Sequence, residues 1–261
     1  MAKRTGQQMK AFELIRPIEE FAPLAQQEKW DNCGFSVGDP NMEVHKALIA
    51  LDCTEETVDE AIEGGADIII THHPLIFGGV KKITPQNWLG RVIYKAIANN
   101  IAIYAAHTNA DKAAGGVSAL MAEKLQLKEC MPLTPDSFGV VGNLEAELPV
   151  EEFAAKVKEA FGVDVVRASK PLEEKIRRVA VCGGSGRSFI PDAMANGVQA
   201  YVTGDITYHE FYAEKGFMVM DIGHYFSEYG IVGLFANIVS KNFPNFAVSI
   251  STKNNNPIYY Y

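Results

Sequence analysis

Six histidines occur in this 261-residue chain, and three groups of residues containing them suit metal or acid–base chemistry. His72 and His73 are adjacent, follow the apolar run DIIIT and precede Pro74. A residue before proline is biased toward extended backbone. Neighbouring extended residues point to opposite sides, so the two imidazoles can diverge and hold two metals rather than chelate one. A surface or turn pair is the competing reading, since exposed histidines are common. The second group is His107-Thr-Asn-Ala-Asp111. Its i, i+4 spacing puts both ends on one face if a helix begins there. Helix capping by Asn109 or Asp111 competes with that. The third group is His224-x-x-x-Glu228, an imidazole and a carboxylate one helical turn apart. Such N/O ligand sets suit zinc, iron or manganese, against an exposed helical pair worth only a few tenths of a kcal/mol.

Two further features carry possible chemistry. His209 lies in GDITYHE beside Glu210, as a proton shuttle, a substrate contact or a solvent-facing histidine. The stretch Cys182-Gly-Gly-Ser-Gly-Arg-Ser188 reads as a loop that links an apolar strand to a helix. Small residues there expose backbone N–H groups at a helix start, a cradle for anions. Gly183, Gly184 and Ser185 would form it, with Arg187 adding charge. The spacing matches neither the Walker loop nor GxGxxG, and a tight turn is the competing reading.

The elements that must position these residues repeat within the chain. Residues 46–73 lie without a gap over the segment from 178 onward: Ala47 falls on Val179, Ala61 on Ala193, Gly65 on Gly197 and Thr71 on Thr203. Each copy runs from a short apolar strand through an amphipathic stretch ending in Gly to a second apolar strand ending in Thr. At a different offset, both halves close on an apolar strand followed by His-x-x-x-acid. Chance likeness of generic α/β segments competes, but the coincident glycines favour an internal duplication. Strand–helix–strand alternation implies parallel strands with helices on their faces. The expectation is an α/β, three-layer fold of two related α/β domains, with the metal site in the cleft between them. The Pro- and Gly-rich stretch 130–149 reads as a linker entering a strand. It divides the chain into 1–129 and 130–229, and the segment 230–261 completes the first domain with the strand FAVSIST. If the halves pair face to face, the three groups meet. Two metals roughly 3.5–4 Å apart with open positions for water form a hydrolytic arrangement.

Composition narrows the function classes. The chain is 48% hydrophobic and 21% charged, which is ordinary for a globular protein. A net charge of -8 disfavours nucleic-acid binding, which needs a basic footprint, yet leaves room for a nucleotide in a pocket. The four cysteines form no CxxC pair, so neither a disulfide framework nor a thiolate zinc site is expected. No secretory signal and no apolar run of membrane-spanning length is evident, and the cytoplasm is the expected location.

WDNCGFSVGD (30–39), ALDCT (50–54), THHP (71–74), HTNAD (107–111), CGGSG (182–186), TGD (203–205) and GHYFSE (223–228) resemble, in order and over nearly the whole chain, the GTP cyclohydrolase I type 2 family. These are the Nif-three-like dinuclear-metal-centre proteins, here in the short form without the middle insert domain. The resemblance implies two divalent ions per subunit (zinc, iron or manganese) held by His72, His73, Asp111, His224 and Glu228, with His107 near the metals rather than on them. It also implies two related domains with the site in their cleft, and a homohexamer. The function expected is that of a metal-dependent hydrolase acting on a nucleotide or related ring compound, for a cyclohydrolase at a purine C8. Glu228 would bridge the metals and His107 or His209 would shuttle protons. Gly183, Gly184, Ser185 and Arg187 would hold phosphate. A non-enzymatic metal carrier or insertion factor, or an oligomeric scaffold with structural metals, is the alternative. Open coordination favours catalysis.

Overall fold

The computed structural model describes residues 8–170, 175–212 and 214–259. They form a mixed α/β fold of two compact units, one running to Ala110 and resuming at Ile231, the other spanning Asp111–Gly230.

The first unit is built on a five-stranded sheet. Its spatial order is Ala247–Ile250, Lys46–Ala50, Ile68–Thr71, Ala102–Ala105 and Gly34–Val37. The first four strands are parallel and the last is antiparallel. Leu48, Ile69 and Ile103 lie side by side and pack on Val58 and Ala61 of helix Glu55–Gly64 and Val92, Ile93 and Ala96 of helix Trp88–Ala98. The alternate residues Ile49, Ile68, Ile70 and Tyr104 are as fully buried. Tyr104 donates its hydroxyl to Glu19 of helix Ala11–Phe21 at 3.2 Å, which places that helix on the opposite face. Burial on both faces explains why these strands are unbroken apolar runs rather than alternating ones. Local chemistry sets the helix ends. The Thr54 hydroxyl accepts from Thr57 N at 3.2 Å and the Asn87 side chain from Gly90 N at 2.7 Å, as N-caps do. Gly65, at φ 67°, ends the first of these helices in the left-handed conformation that glycine adopts without a Cβ clash.

The second unit holds a six-stranded sheet in the order Lys128–Pro132, Val140–Leu148, Ile176–Ser185, Ala200–Gly204, Met218–Asp221 and Arg167–Ala168. The strands starting at Ile176, Ala200 and Met218 are mutually parallel, and antiparallel pairs flank them. One face packs Val179, Val181, Val202 and Met220 against Phe153, Val157 and Phe161 of helix Val150–Phe161. The other packs Ala180, Tyr201 and Val219 against Ala193, Val198 and Phe217.

Three local features differ from the sequence-based expectations. Residues 130–149 are not a linker but most of an antiparallel hairpin, Lys128–Pro132 with Val140–Leu148. Their Pro and Gly mark its turn, where Ser137 and Gly139 take φ 71° and 68°. Helix Val117–Lys124, sequence-assigned to the first domain, contributes Met121 and Ala122 to the core of the second unit. The CGGSG segment is not a loop, because the strand continues through Ser185, which pairs with Gly204 beyond an irregularity. Among the described residues, no helix is long and apolar enough to cross a membrane.

Candidate functional site

In the first unit, three histidines converge at the ends of parallel strands, where open α/β sheets place their ligands. Strand Ile68–Thr71 stops before His72, and the chain bends at His72 and His73 instead of staying extended. The pleat therefore does not splay the pair, whose ring centroids are 5.1 Å apart with planes tilted 43°. His107 follows the adjacent strand, its ring 5.2 Å from that of His72 and 5.5 Å from that of His73. One nitrogen from each of the three lies within 4.8 Å of the others, a group able to hold a metal ion.

Their ring orientations are set from behind. His72 Nδ1 donates to the Ala106 carbonyl at 2.8 Å, His73 Nδ1 to Asp52 Oδ1 at 2.7 Å and His107 Nδ1 to Asp31 Oδ1 at 3.0 Å. Carbonyls and carboxylates only accept. Each contact therefore puts the proton on Nδ1 and makes Nε2 the acceptor atom of the ring, the arrangement usual behind a metal-binding histidine. Asp31 also accepts from Thr108 N at 3.0 Å and from the Thr108 hydroxyl. Burial pushes its pKa up, but the bonds from His107 and Thr108 more than offset this and hold it well below the usual carboxylate range. Asn109 is a strut rather than a helix cap, donating to the Ala22 carbonyl at 2.7 Å. Trp30 and Phe77, both largely exposed, stand edge-on to His107 and give it an apolar rim.

The second unit carries the acidic groups. His224 opens helix His224–Glu228 directly after strand Met218–Asp221 and Gly223, which takes φ 83°. Its Nε2 lies 2.9 Å from Glu228 Oε2 and its Nδ1 2.8 Å from Asp205 Oδ2. Asp205 itself takes φ 56°, a left-handed conformation that aspartate tolerates better than most residues. Burial pulls the His224 pKa down, but Asp205 and Glu228 outweigh it and raise the value to about 10. Asp111, in the short helix Thr108–Lys112, brings a carboxylate oxygen within 4.8 Å of one from Glu228. The buried Cys182 thiol is pushed up to about 12, first by burial and then by the neighbouring Asp111.

The glycines of CGGSG have a steric task. A Cβ on Gly184 would sit 2.2 Å from Glu228 Oε1, and one on Gly183 would sit 2.2 Å from Val117 Cγ1 and 3.3 Å from Glu228 Cγ. Their N–H groups already have acceptors, Gly183 in Ser118 Oγ at 3.4 Å and Gly184 in Ser227 Oγ at 2.9 Å. Ser185 and Arg187 are exposed. Arg187 lines an open hollow of about 300 Å³ with Ile190, Met194, Glu210, Tyr212 and Phe217. His209, on the turn Tyr208–Phe211, faces Tyr208 and Tyr212 and belongs to no group of potential metal ligands among the described residues. Sequence reasoning did not single out Asp31, Asp52 and Asp205 as anchors. Their signal was available, since each is the acid of a quoted motif: WDN, LDC and TGD.

A model of the family described as Duf34/NIF3 (NGG1p interacting factor 3) matches residues 9–257. A Clostridium perfringens protein named GTP cyclohydrolase 1 type 2 homolog is 40% identical over 232 residues, covering 86% of this chain and 88% of its own. NIF3-like protein 1 of Drosophila melanogaster is 31% identical, covering 91% and 84%. The crystal structure of a Bacillus cereus protein related to NIF3 has the same fold, with a TM-score of 0.90 at 27% identity over 97% of this chain and 99% of that one.

Proposed function

The chain belongs to the Duf34/NIF3 family, and we propose that it is a dinuclear metalloprotein that hydrolyses a nucleotide or a related ring compound. His72, His73, Asp111, His224 and Glu228 would serve as ligands to two divalent ions, zinc, iron or manganese. The observation that carries the reading is the uniform anchoring of Nδ1. In His72, His73, His107 and His224 this atom faces an oxygen acceptor, which turns the Nε2 edge of each ring the other way, in His224 onto Glu228 Oε2 at 2.9 Å. The donor set fits divalent transition metals. The name carried by the Clostridium relative supports a cyclohydrolase-like substrate.

Bound divalent ions supply Lewis acidity and make water a stronger acid. The chain's own residues do the rest. Glu228, buried and seated against Gly184, offers two carboxylate oxygens that would help hold the ions. His107, its Nδ1 fixed by Asp31 and its ring flanked by Trp30 and Phe77, passes protons at Nε2. Phosphate contact falls to Ser185 and Arg187, since the N–H groups of Gly183 and Gly184 are engaged. The native assembly in this proposal is a homohexamer, which light scattering on the eluted protein checks.

The test is metal content per chain by elemental analysis, on wild type and on the double variant H73A/E228A. The expected result is about two ions in the wild type and their loss in the variant. A wild type that holds none and takes up none on reconstitution overturns the proposal. A metal carrier is the second reading, because the same histidine group could hold a metal ion without turnover. Metal-dependent turnover of GTP that survives E228Q unchanged overturns the role given to Glu228. Full metal loading with no turnover of any nucleotide favours the carrier.

A further inference from the structure

The C-terminal strand Ala247–Ile250 pairs with Lys46–Ala50, the strand that leads into Leu51 and Asp52. Past that strand the chain turns back, with Ser251 N donating to the Ile49 carbonyl at 2.8 Å and Asn254 N to Ser251 Oγ at 3.1 Å. Thr252 and Lys253 are exposed, yet the next residue, Asn254, is buried. Its Oδ1 accepts from two backbone N–H groups, Leu51 at 2.6 Å and Asp52 at 2.9 Å. Two donors at one atom identify that atom as the oxygen. Its Nδ2 reaches Asp52 Oδ2 at 3.5 Å, a long contact, while Asp52 Oδ1 takes the His73 Nδ1–H at 2.7 Å. His73 is tied to the same segment a second time, its N–H donating to the Leu51 carbonyl at 3.0 Å. Glu60 clamps the turn from outside, accepting from Thr252 N at 2.9 Å and the Thr252 hydroxyl at 2.8 Å.

We infer that Asn254 is a positioning residue for His73, acting through Asp52. Asn254 fixes the backbone from which Asp52 projects and occupies one carboxylate oxygen, so the other stays on the imidazole. Asp52 in turn holds the proton on His73 Nδ1 and presents Nε2 as a ligand. The inference rests on the metal-site reading for its consequence, but its geometry stands in the metal-free protein. A simpler role for Asn254 is to cap two strand-end N–H groups. That role alone would leave the tautomer of His73 unchanged.

The experiment uses the full chain. Imidazole ¹⁵N shifts report the His73 tautomer in metal-free wild type, N254A and D52N, and zinc titration against a competing chelator reports affinity. Wild type is expected to show the Nδ1–H tautomer. D52N offers His73 an amide that can donate, so it is expected to shift the proton to Nε2. Both variants are expected to bind zinc about 10–100-fold more weakly, the usual cost of losing a partner behind a ligand. If N254A does not fold, N254D carries the test, because it keeps the acceptor for both backbone contacts and replaces the donor facing Asp52 with a carboxylate oxygen that repels it. An unchanged tautomer and unchanged affinity in these variants overturn the inference. A wild type that binds neither zinc nor, in the same titration, ferrous iron or manganese overturns the metal-site reading instead. The tautomer then still decides the relay, upheld by a shift in the variants and overturned by none.

Discussion

The two units position their candidate ligands by different means. In the first, hydrogen bonds from distant segments hold the imidazoles: Asp31 on His107, and Asp52, backed by Asn254, on His73. In the second, Asp205 plays the same part for His224, but close packing holds Glu228, with the Gly184 backbone where no Cβ would fit. The contrast predicts opposite tolerances. A position held by hydrogen bonds should survive small changes of volume and fail on an exchange of acceptor for donor. A position held by packing should do the reverse.

The largest effect should come from G184A. Its Cβ meets Glu228 Oε1 and its backbone is at φ +63°. Left-handed strain and overpacking together should cost about 3 kcal/mol in urea unfolding. Elemental analysis should also show metal loading lost through a displaced Glu228. Unchanged loading would mean that packing does not seat this carboxylate. Next is D31N, an exchange nearly without volume change. It puts a donor where His107 Nδ1–H and the two donors of Thr108 converge. Leaving such groups unsatisfied should cost about 2 kcal/mol, while D31E should recover part of it. If D31N were as stable as wild type, hydrogen bonding would not be what fixes the first unit.

A pH effect separates the units further. His224 is raised from 6.5 to about 10 in the metal-free fold. A raised pKa adds stability fully below the unfolded value, and that stability is lost as pH rises through the folded one. Metal-free wild type should therefore weaken between about pH 6.5 and 10, and D205N should flatten the curve. Metal competes with the same proton, so uptake should release protons across that window. The smallest effect is expected at Glu60, whose pKa burial raises but whose bonds from Ser251 and Thr252 lower further. Its contribution is present above the ordinary carboxylate range and lost as pH falls. E60Q should cost about 1 kcal/mol at neutral pH and match wild type in acid.

Much of the frame was legible in the residues. Unbroken apolar runs such as DIIIT and QAYVT announced parallel strands with helices on their faces, and Gly65 marked a helix end through local backbone chemistry. The hairpin at 128–148 was not legible, because Pro and Gly mark a tight turn and a linker alike. The division near Ala110 was hidden for another reason. Helix Val117–Lys124 has apolar residues suited to either core, and only packing assigns it.

The site divides in the same way. His72, His73, His107, His224 and Glu228 stood out because their types and their places after strands are local properties of the chain. Asp31, Asp52, Asp205 and Asn254 did not, since an acid or amide near a strand end is common and says nothing of its partner. Asn254 and Asp52 are 202 residues apart in the chain. Hydrogen bonds are directional and reach about 3 Å, so that pairing exists only once the C-terminal strand has found its place in the sheet. The sequence by itself determined which side chains could bind a metal. The tertiary structure alone decided how each ring is turned, because orientation depends on contacts between residues far apart in the chain.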